Sequence, residues 1–448
     1  MSMPAKLDRA LGLREATALN MIDMVGIGPF IVIPLVIKSM GGPQCLLAWA
    51  VGAILALVDG CIWAELGAAM PEAGGSYVYL RECYGPMRWG RLLSFLVIWQ
   101  TIFQAPLVMA SGSIGFAEYF TYLHKMGPYG QKAVAGGVVI VLAALLYRRI
   151  GAIGKISILL WIGVIGTIVW LIAAGATHFH PRMAFDFPAG AWRLNWLFFA
   201  ALGSATVQTI YTYWGYYNVC FLGGEIEQPQ RNIPRAIFIS IISIAILYLA
   251  MQTCILGVVP WREAQNSPFI VSTFFERIYG THAAEVVTIL ILWIAFASLF
   301  SLTLGYSRIP YAAALDGNFF SIFGRVHPTK HFPHVSLLAL CGVAFVFSLL
   351  FKLATVIAAI AAMRILVQFV GQAVGVILLR RRWSRERLPF RMWLYPIPAI
   401  IAIILWAALF AATGMRMIFG GVAILVGIIV FLARSRGLKQ WPFAEARQ

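Results

Sequence analysis

The chain has 448 residues, of which 61% are hydrophobic and 11% charged. A water-soluble globule of this length needs roughly a quarter of its residues charged to cover its surface, so that class is excluded. The net charge of +17 raises the question of nucleic acid, but the Lys and Arg sit in short stretches between apolar runs and no basic-aromatic module or soluble domain remains, so no nucleic-acid partner is expected.

Twelve apolar runs are each long enough to cross about 30 Å of hydrocarbon. They lie near 16–38, 45–69, 91–118, 131–147, 155–176, 195–222, 235–259, 284–313, 335–351, 353–379, 393–413 and 415–434. The ninth run abuts Lys352, which requires a tight turn before the tenth. With the N-terminus placed in the cytoplasm, about 24 of the 34 Lys and Arg fall in inner segments and about nine in outer ones, while Arg364 lies within a span. This bias predicts an even number of spans and two cytoplasmic termini. The outer segment 260–283 contains SPFIVSTFFERIYG, whose apolar spacing predicts a short amphipathic helix. No signal peptide is recognised, because the first dozen residues are polar and basic and the first apolar run is too long for an h-region. Cys45, Cys61, Cys83, Cys220, Cys254 and Cys341 form no CxxC pair and read as small buried hydrophobes. The metal-like spacing of His327, His331 and His334 is broken by Pro328 and Pro333, so no metal site is expected.

The first span contains MVGIGPFIVIPLV, Met24 to Val36. Glycine and proline let a helix open and leave backbone groups without intrahelical partners. In hydrocarbon each such group costs several kcal/mol unless it lines a cavity or meets a ligand. The freed N–H groups around Val25–Gly28 begin a second half-helix and suit an anion such as a carboxylate; the carbonyls ending the first half suit a cation. Plain glycine packing or a proline kink is the alternative reading. The sixth span carries a second candidate break, YTYWGYYN, in which Gly215 sits among four tyrosines and a tryptophan. These residues have polar tips and flat apolar walls, suited to enclosing a small molecule. Breaks five spans apart predict two repeats of five spans, inverted across the membrane, with a site at the midplane.

Four stretches then carry a family resemblance: VGIGPFIV; AWAVGAILALVDGCIWAELGAAMPEAGGSYVYLRECYGP at 48–86; GGEIEQPQRNIPRAI at 223–237; and LGYSRIPYAAALDGNF at 304–319. With them the chain, from about residue 10 to 435, resembles a permease of the amino acid–polyamine–organocation superfamily, with the leucine-transporter fold. The resemblance implies that a substrate carboxylate meets the backbone of Val25, Gly26, Ile27 and Gly28. It places the substrate amine at the carbonyl of Met24 and at those around Tyr213 and Trp214. The substrate side chain then faces Tyr213, Trp214, Tyr216 and Tyr217, beside Gly215, with Gln100 and Gln104 on the third helix. Two departures stand out. Pro29 and Ile27 occupy positions where relatives carry Ile and a small residue, which reshapes the rim of the site. The fifth-helix lysine of many relatives matches Val164 here, and the nearest lysine is Lys155. Ser298, Ser301 and Thr303 offer sodium ligands or ordinary small-residue packing, so coupling to H⁺ or Na⁺ stays open and no cofactor is expected.

Ionisable residues inside spans are functional candidates. Asp23, one turn before the break, either orients the opened helix, accepts protons, or is the satisfied partner of a nearby donor. Asp59 and Glu65 lie in the second half of span two, and Glu65 is expected to pair near the inner gate. Arg364 is a gate, a counter-charge for an anionic side chain, or a structural partner of Asp59 or Asp23. Glu225, Glu227, Arg231 and Arg235 form either an ionic latch or a helix stop followed by a new N-terminus. The cluster Arg380–Arg391 is expected to meet anionic lipid headgroups.

The expected protein is therefore an all-α integral membrane protein with twelve transmembrane helices in a single transport domain. Its first repeat covers about 14–176 and its second about 195–380, with discontinuous helices 1 and 6; two extra helices follow at about 393–434. The expected function is secondary transport of an amino acid, as permease or exchanger, by alternating access in a bacterial-type cytoplasmic membrane. Polyamine or other organic-cation exchange, or sensing without transport, is the second reading. No acid–base or metal constellation stands at one depth, so an enzyme is not expected.

Overall fold

A backbone in hydrocarbon has no water to bond with, so long apolar runs fold into helices that pair their own N–H and C=O groups. The computed structural model describes residues 7–350, 364–412 and 417–443, and its regular structure there is helical, with two isolated extended bridges. In chain order the elements that frame the site are α1 (Leu13–Met24), α2 (Gly28–Met40), α3 (Leu46–Ala69), α4 (Ser76–Tyr84), α5 (Trp89–Leu123), α6 (Pro128–Leu146) and α7 (Ile150–Thr177). They continue with α8 (Trp196–Tyr213), α9 (Asn218–Phe221), α10 (Pro229–Val258), α11 (Ile270–Tyr279), α12 (Thr281–Tyr306) and α13 (Arg308–Leu315). The last are α14 (His334–Leu350), α15 (Gly371–Arg382), α16 (Ile397–Ala412) and α17 (Met417–Gly437).

Among the described residues seven helices are long and apolar enough to cross a membrane, and the bent pair α1–α2 makes an eighth. The chain is an integral, multi-pass membrane protein. The expected first span is thus one broken unit, bent by 45°. The expected sixth, ninth and eleventh spans correspond to the shorter helices α8, α14 and α16. The start of the expected tenth span, and with it the turn at Lys352, lies outside the described residues. The amphipathic helix expected in 260–283 is α11, which buries Ile270, Val271, Phe274 and Phe275.

Helix ends follow local chemistry. Pro128 and Pro229 open α6 and α10, where a missing N–H costs nothing. Asn195 caps α8 by accepting from the Phe198 amide at 2.9 Å. Gly41, at φ +73°, ends α2 with its amide on the Ile37 carbonyl.

At the end of the bundle where the N-terminal segment lies, the chain is sewn together by backbone as well as side chains. The amides of Ala10 and Leu11 both donate to the Glu225 carbonyl, and the Glu227 amide donates to Leu11. The Glu225 carboxylate, fully buried, accepts from Arg308 Nε at 2.8 Å and Nη2 at 2.7 Å. Glu65 is likewise buried and accepts from Arg380 Nε and Nη2, both at 2.5 Å, and from the Met392 amide at 2.7 Å. Nearer solvent, Arg81 joins Asp316, Glu82 and Glu72. Partial burial opposes its charge, but Asp316 and Glu82 outweigh that and hold the guanidinium above its ordinary range.

Replacing Glu225 by Gln leaves the Arg308 guanidinium buried without its anion. The expected loss is about 3–5 kcal/mol, read as a lower melting temperature of the detergent-solubilised protein. Replacing both partners with apolar residues, Glu225→Leu with Arg308→Met, is expected to recover most of it. A double variant as unstable as the single one would show that the uncompensated charge is not what matters at this position.

Candidate functional site

The first break is built by residues 25–27, which leave the helix between α1 and α2. The Val25 amide still reaches the Met21 carbonyl, but among the described residues the amides of Gly26, Ile27 and Gly28 have no backbone acceptor. Pro29 falls in the first turn of α2, where it has no N–H to satisfy. On the other side of the break the carbonyls of α1 are taken up by neighbours. Ser301 Oγ donates to Leu19 at 2.7 Å, Ser298 Oγ to Asp23 at 3.2 Å, and Tyr248 Oη to Met24 at 2.8 Å.

The second break lies between α8 and α9, over Trp214–Tyr217. Gly215 holds φ +121°, and a Cβ there would stand 2.7 Å from the Met24 amide nitrogen and 2.8 Å from the Asp23 carbonyl carbon. The two breaks therefore touch, backbone against backbone, at a point only glycine permits. Two side chains lock them, and a third ties α9 to α12. Asn20 donates to the Tyr216 carbonyl at 2.6 Å and accepts from the Val219 amide at 2.9 Å. Tyr248 bridges the Met24 and Thr212 carbonyls. Asn218 donates to the carbonyl and hydroxyl of Ser301.

A cavity of about 100 Å³ opens where the breaks meet, room for several waters or one small solute. Its wall includes Asp23, Met24, Gly26, Ile27, Gly28, Trp214, Gly215, Tyr217, Ser298 and Arg364 from the sequence reading. It also includes Tyr211, Thr212 and Tyr306, and from α5 Val108, Ser111 and Gly112. The cavity thus presents unpaired amides, one carboxylate, one guanidinium and aromatic faces, a set that suits a small dipolar solute.

Other expected site residues lie elsewhere. Val25 is buried behind the break. Tyr213 Oη donates to the Trp49 carbonyl at 3.2 Å, and Tyr216 Oη to Asp59 at 2.5 Å, so both rings serve the core. Gln100 and Gln104 are buried on the α5 stripe that leads to Val108 and Ser111, but a turn or more short of the cavity, with amide nitrogens unpartnered among the described residues. Lys155 is exposed near the start of α7, and Val164 is buried. Asp59 accepts from Tyr216 and from Trp406 Nε1 at 2.9 Å, not from Arg364. The expected latch takes a different form: Glu225 pairs with Arg308, while Arg231 and Arg235 are exposed on the first turns of α10 and have no ion pair among the described residues. Glu227 contributes its backbone, through Leu11 and Asn232. Ser298 and Ser301 spend their hydroxyls on α1 carbonyls, and Thr303 Oγ1 has no partner among the described residues. Asn20, Asn218, Tyr248 and Arg308 were not singled out from sequence; the signal available was a polar residue inside an apolar run, which names no partner.

Comparison with known proteins places the geometry in context. A family profile described as amino acid permease matches residues 11–433. The chain is similar to the serine/threonine exchanger SteT of Bacillus subtilis, 25% identical over 94% of this chain and 95% of that one. It is 25% identical to the human cystine/glutamate transporter, over 89% of this chain and 79% of the relative. It is 26% identical to the human cationic amino acid transporter 4 over 75% of this chain, a match that spans about half, 54%, of that longer protein.

The three glycines of the breaks rank by what a methyl group would strike. At Gly215 the obstacle is backbone; at Gly26 it is Ser298 Oγ, 2.7 Å away and able to rotate; at Gly28 the nearest atom is Tyr211 Cε1 at 3.4 Å. Gly215→Ala is expected to lose about 1–3 kcal/mol from the backbone dihedral and a similar amount, about 1–3 kcal/mol, from overpacking. Gly26→Ala should lose less and Gly28→Ala least. Melting temperatures of the three purified variants test the order, and a Gly215→Ala protein as stable as Gly28→Ala would contradict the contact between breaks.

Proposed function

The chain belongs to the amino acid permease family, and we propose that it is a secondary transporter that moves an amino acid across the membrane by alternating access. One observation carries the reading: two interrupted helices meet around a small cavity that holds unpaired backbone amides next to a carboxylate. Amides at the start of α2, at the positive end of that half-helix, suit the α-carboxylate. Asp23, with the remaining capacity of the Met24 carbonyl, suits the α-ammonium. The aromatic faces of Trp214, Tyr217 and Tyr306 then surround the rest of the solute.

The same wall argues against a polyamine. A polycation calls for several carboxylates, and the cavity has Asp23 alone, opposed by the charge of Arg364. Asp59 is committed to Tyr216 and Trp406 outside the cavity. In this reading the layer at the N-terminal end, with its buried Glu225–Arg308 pair, is the closed gate. The central cavity shares no lining residue with the cavity beyond that layer, which is lined by Arg9, Glu72, Arg81 and Asp316 among others. The expected orientation puts this end in the cytoplasm, in keeping with the excess of Lys and Arg in the inner segments.

Reconstituted into liposomes, the protein is expected to accumulate or exchange a labelled amino acid. Gly28→Leu should fill the cavity and cut that flux by about tenfold or more, equivalent to about 1.4 kcal/mol of lost binding, while the melting temperature stays near that of the parent. Binding of amino acids without flux in the parent protein would favour a sensor, and parental flux in Gly28→Leu would place the substrate elsewhere.

A further inference from the structure

We infer that the preferred substrate is an α-amino acid with a second carboxylate on its side chain, and that Arg364 is the residue that receives it. This rests on the amino-acid reading above and narrows it to a substrate class.

Two buried arginines, Arg308 and Arg364, and the largely buried side chain of Arg380 show how this fold treats a guanidinium. Arg308 and Arg380 are each held by two oxygens of one buried carboxylate, Glu225 and Glu65. Arg364 is as buried, at 3% exposure, and faces the central cavity. Yet no carboxylate lies within ion-pair distance of it among the described residues; its Nε donates to Gln368 Oε1 at 3.0 Å, and its Nη2 is buried with no acceptor. Four rings surround it, Trp214 at 5.0 Å, Tyr217 at 5.1 Å, Phe369 at 5.7 Å and Tyr306 at 5.8 Å. Such contacts return only part of what removing a charge from water costs. The rings orient the guanidinium, and Asp23 on the same cavity wall acts on it through space without bonding to it, so the buried Nη2 still lacks an acceptor.

The substrate's own α-carboxylate is not the best candidate for that anion, because the amides of Gly26, Ile27 and Gly28 are free to take it. Asp23 lines the same cavity and, though its charge and that of Arg364 act on one another, no ion pair joins them among the described residues, so the carboxylate can take the α-ammonium. An amino acid with an acidic side chain therefore gives each of the three polar features one opposite partner. A neutral amino acid leaves the buried Nη2 of Arg364 without an acceptor, and a basic one brings a second cation against it. The planar fork of a guanidinium fits a carboxylate through two parallel hydrogen bonds. Arg364 also opens the π-helical turn Ile365–Val370, a local widening often found where a helix serves a site.

The test compares acids with their amide isosteres. Purified protein in detergent is titrated with L-aspartate, L-glutamate, L-asparagine and L-glutamine, read by thermal shift and by competition for uptake in proteoliposomes. At least one acid is expected to bind about tenfold or more tighter than its amide. Arg364→Gln should erase that gap by weakening the acid and leaving the amide unchanged, and Arg364→Lys should retain part of it. Amides that bind as tightly as the acids overturn the inference, and so does an Arg364→Gln protein in which acid and amide weaken equally. If Arg364→Gln does not fold, the parental acid-to-amide ratio decides alone. Neutral amino acids that bind where the acids do not sink this inference and leave the amino-acid reading standing; a protein that binds no amino acid sinks both.

Discussion

The organising constraint is the backbone that two interrupted helices expose at the middle of an apolar bundle. Water is not there to pair it, and each stray N–H or C=O is worth several kcal/mol. The fold meets this with a small set of polar side chains on other helices. Asn20, Tyr248 and Ser298 each reach a carbonyl or amide at a break, while Ser301 and Asn218 tie the flanking α1 and α9 to α12. What they pair is uneven. The carbonyls ending α1 are largely occupied, while the amides opening α2 are left over. On the transport reading that asymmetry suits the cavity to an anionic group, and it comes from which half of the break the neighbouring hydroxyls can reach.

Charge inside the bundle follows the same logic of complete or withheld pairing. Burying an ion pair seldom adds stability over an apolar pair of the same shape, but removing one partner is severe. Glu225 with Arg308 and Glu65 with Arg380 therefore act as registration pins between remote segments. Asp59 is held by two neutral donors, a phenol and an indole, and so carries the position of Tyr216 and thus of the second break. Asp23 and Arg364 are the exceptions, both on the cavity wall and neither in an ion pair among the described residues.

Much of the frame was legible from sequence because its causes are local. Glycine and proline at 26, 28 and 29 mark an opening in any apolar helix, and the structure breaks there; Gly215 marks the second. The amphipathic spacing of 270–279 likewise needs no tertiary information. The partners were not legible, since spacing along the chain says nothing of a contact 315 residues away such as Glu65 to Arg380. The latch shows the difference. Glu225, Arg231 and Arg235 are close in sequence, but Pro229 starts a new helix that carries both arginines to the surface, and Arg308 fills the place. Tyr213 and Tyr216 show it again: one aromatic run divides between two sides where α8 gives way to the break, so these two serve the core while Tyr211, Trp214 and Tyr217 line the cavity.

On the transport reading, the layer at the N-terminal end must part for the cavity to open that way, and its bonds are far from equal. The Glu225–Arg308 pair is fully buried, and separating it would strand two charges, at about 3–5 kcal/mol. Glu225 also holds the amides of Ala10 and Leu11 by its carbonyl. The N-terminal segment, residues 225–227 and α13 are therefore bound to move as one body. The seam between 71–84 and 221–224 is weaker. It has the Gly74 amide on the Phe221 carbonyl at 3.0 Å, worth about 1 kcal/mol, and tight packing of Gly223 on Glu72. The pairs of Arg81 with Asp316, Glu82 and Glu72 lie nearer solvent, where each contributes about 0–1 kcal/mol. Energetics alone thus favour a gate that opens along the edge of α4 and leaves the buried pair intact. In such a motion α1 keeps its hold on α12 through Ser298 and Ser301, so the cavity wall is carried along without being dismantled.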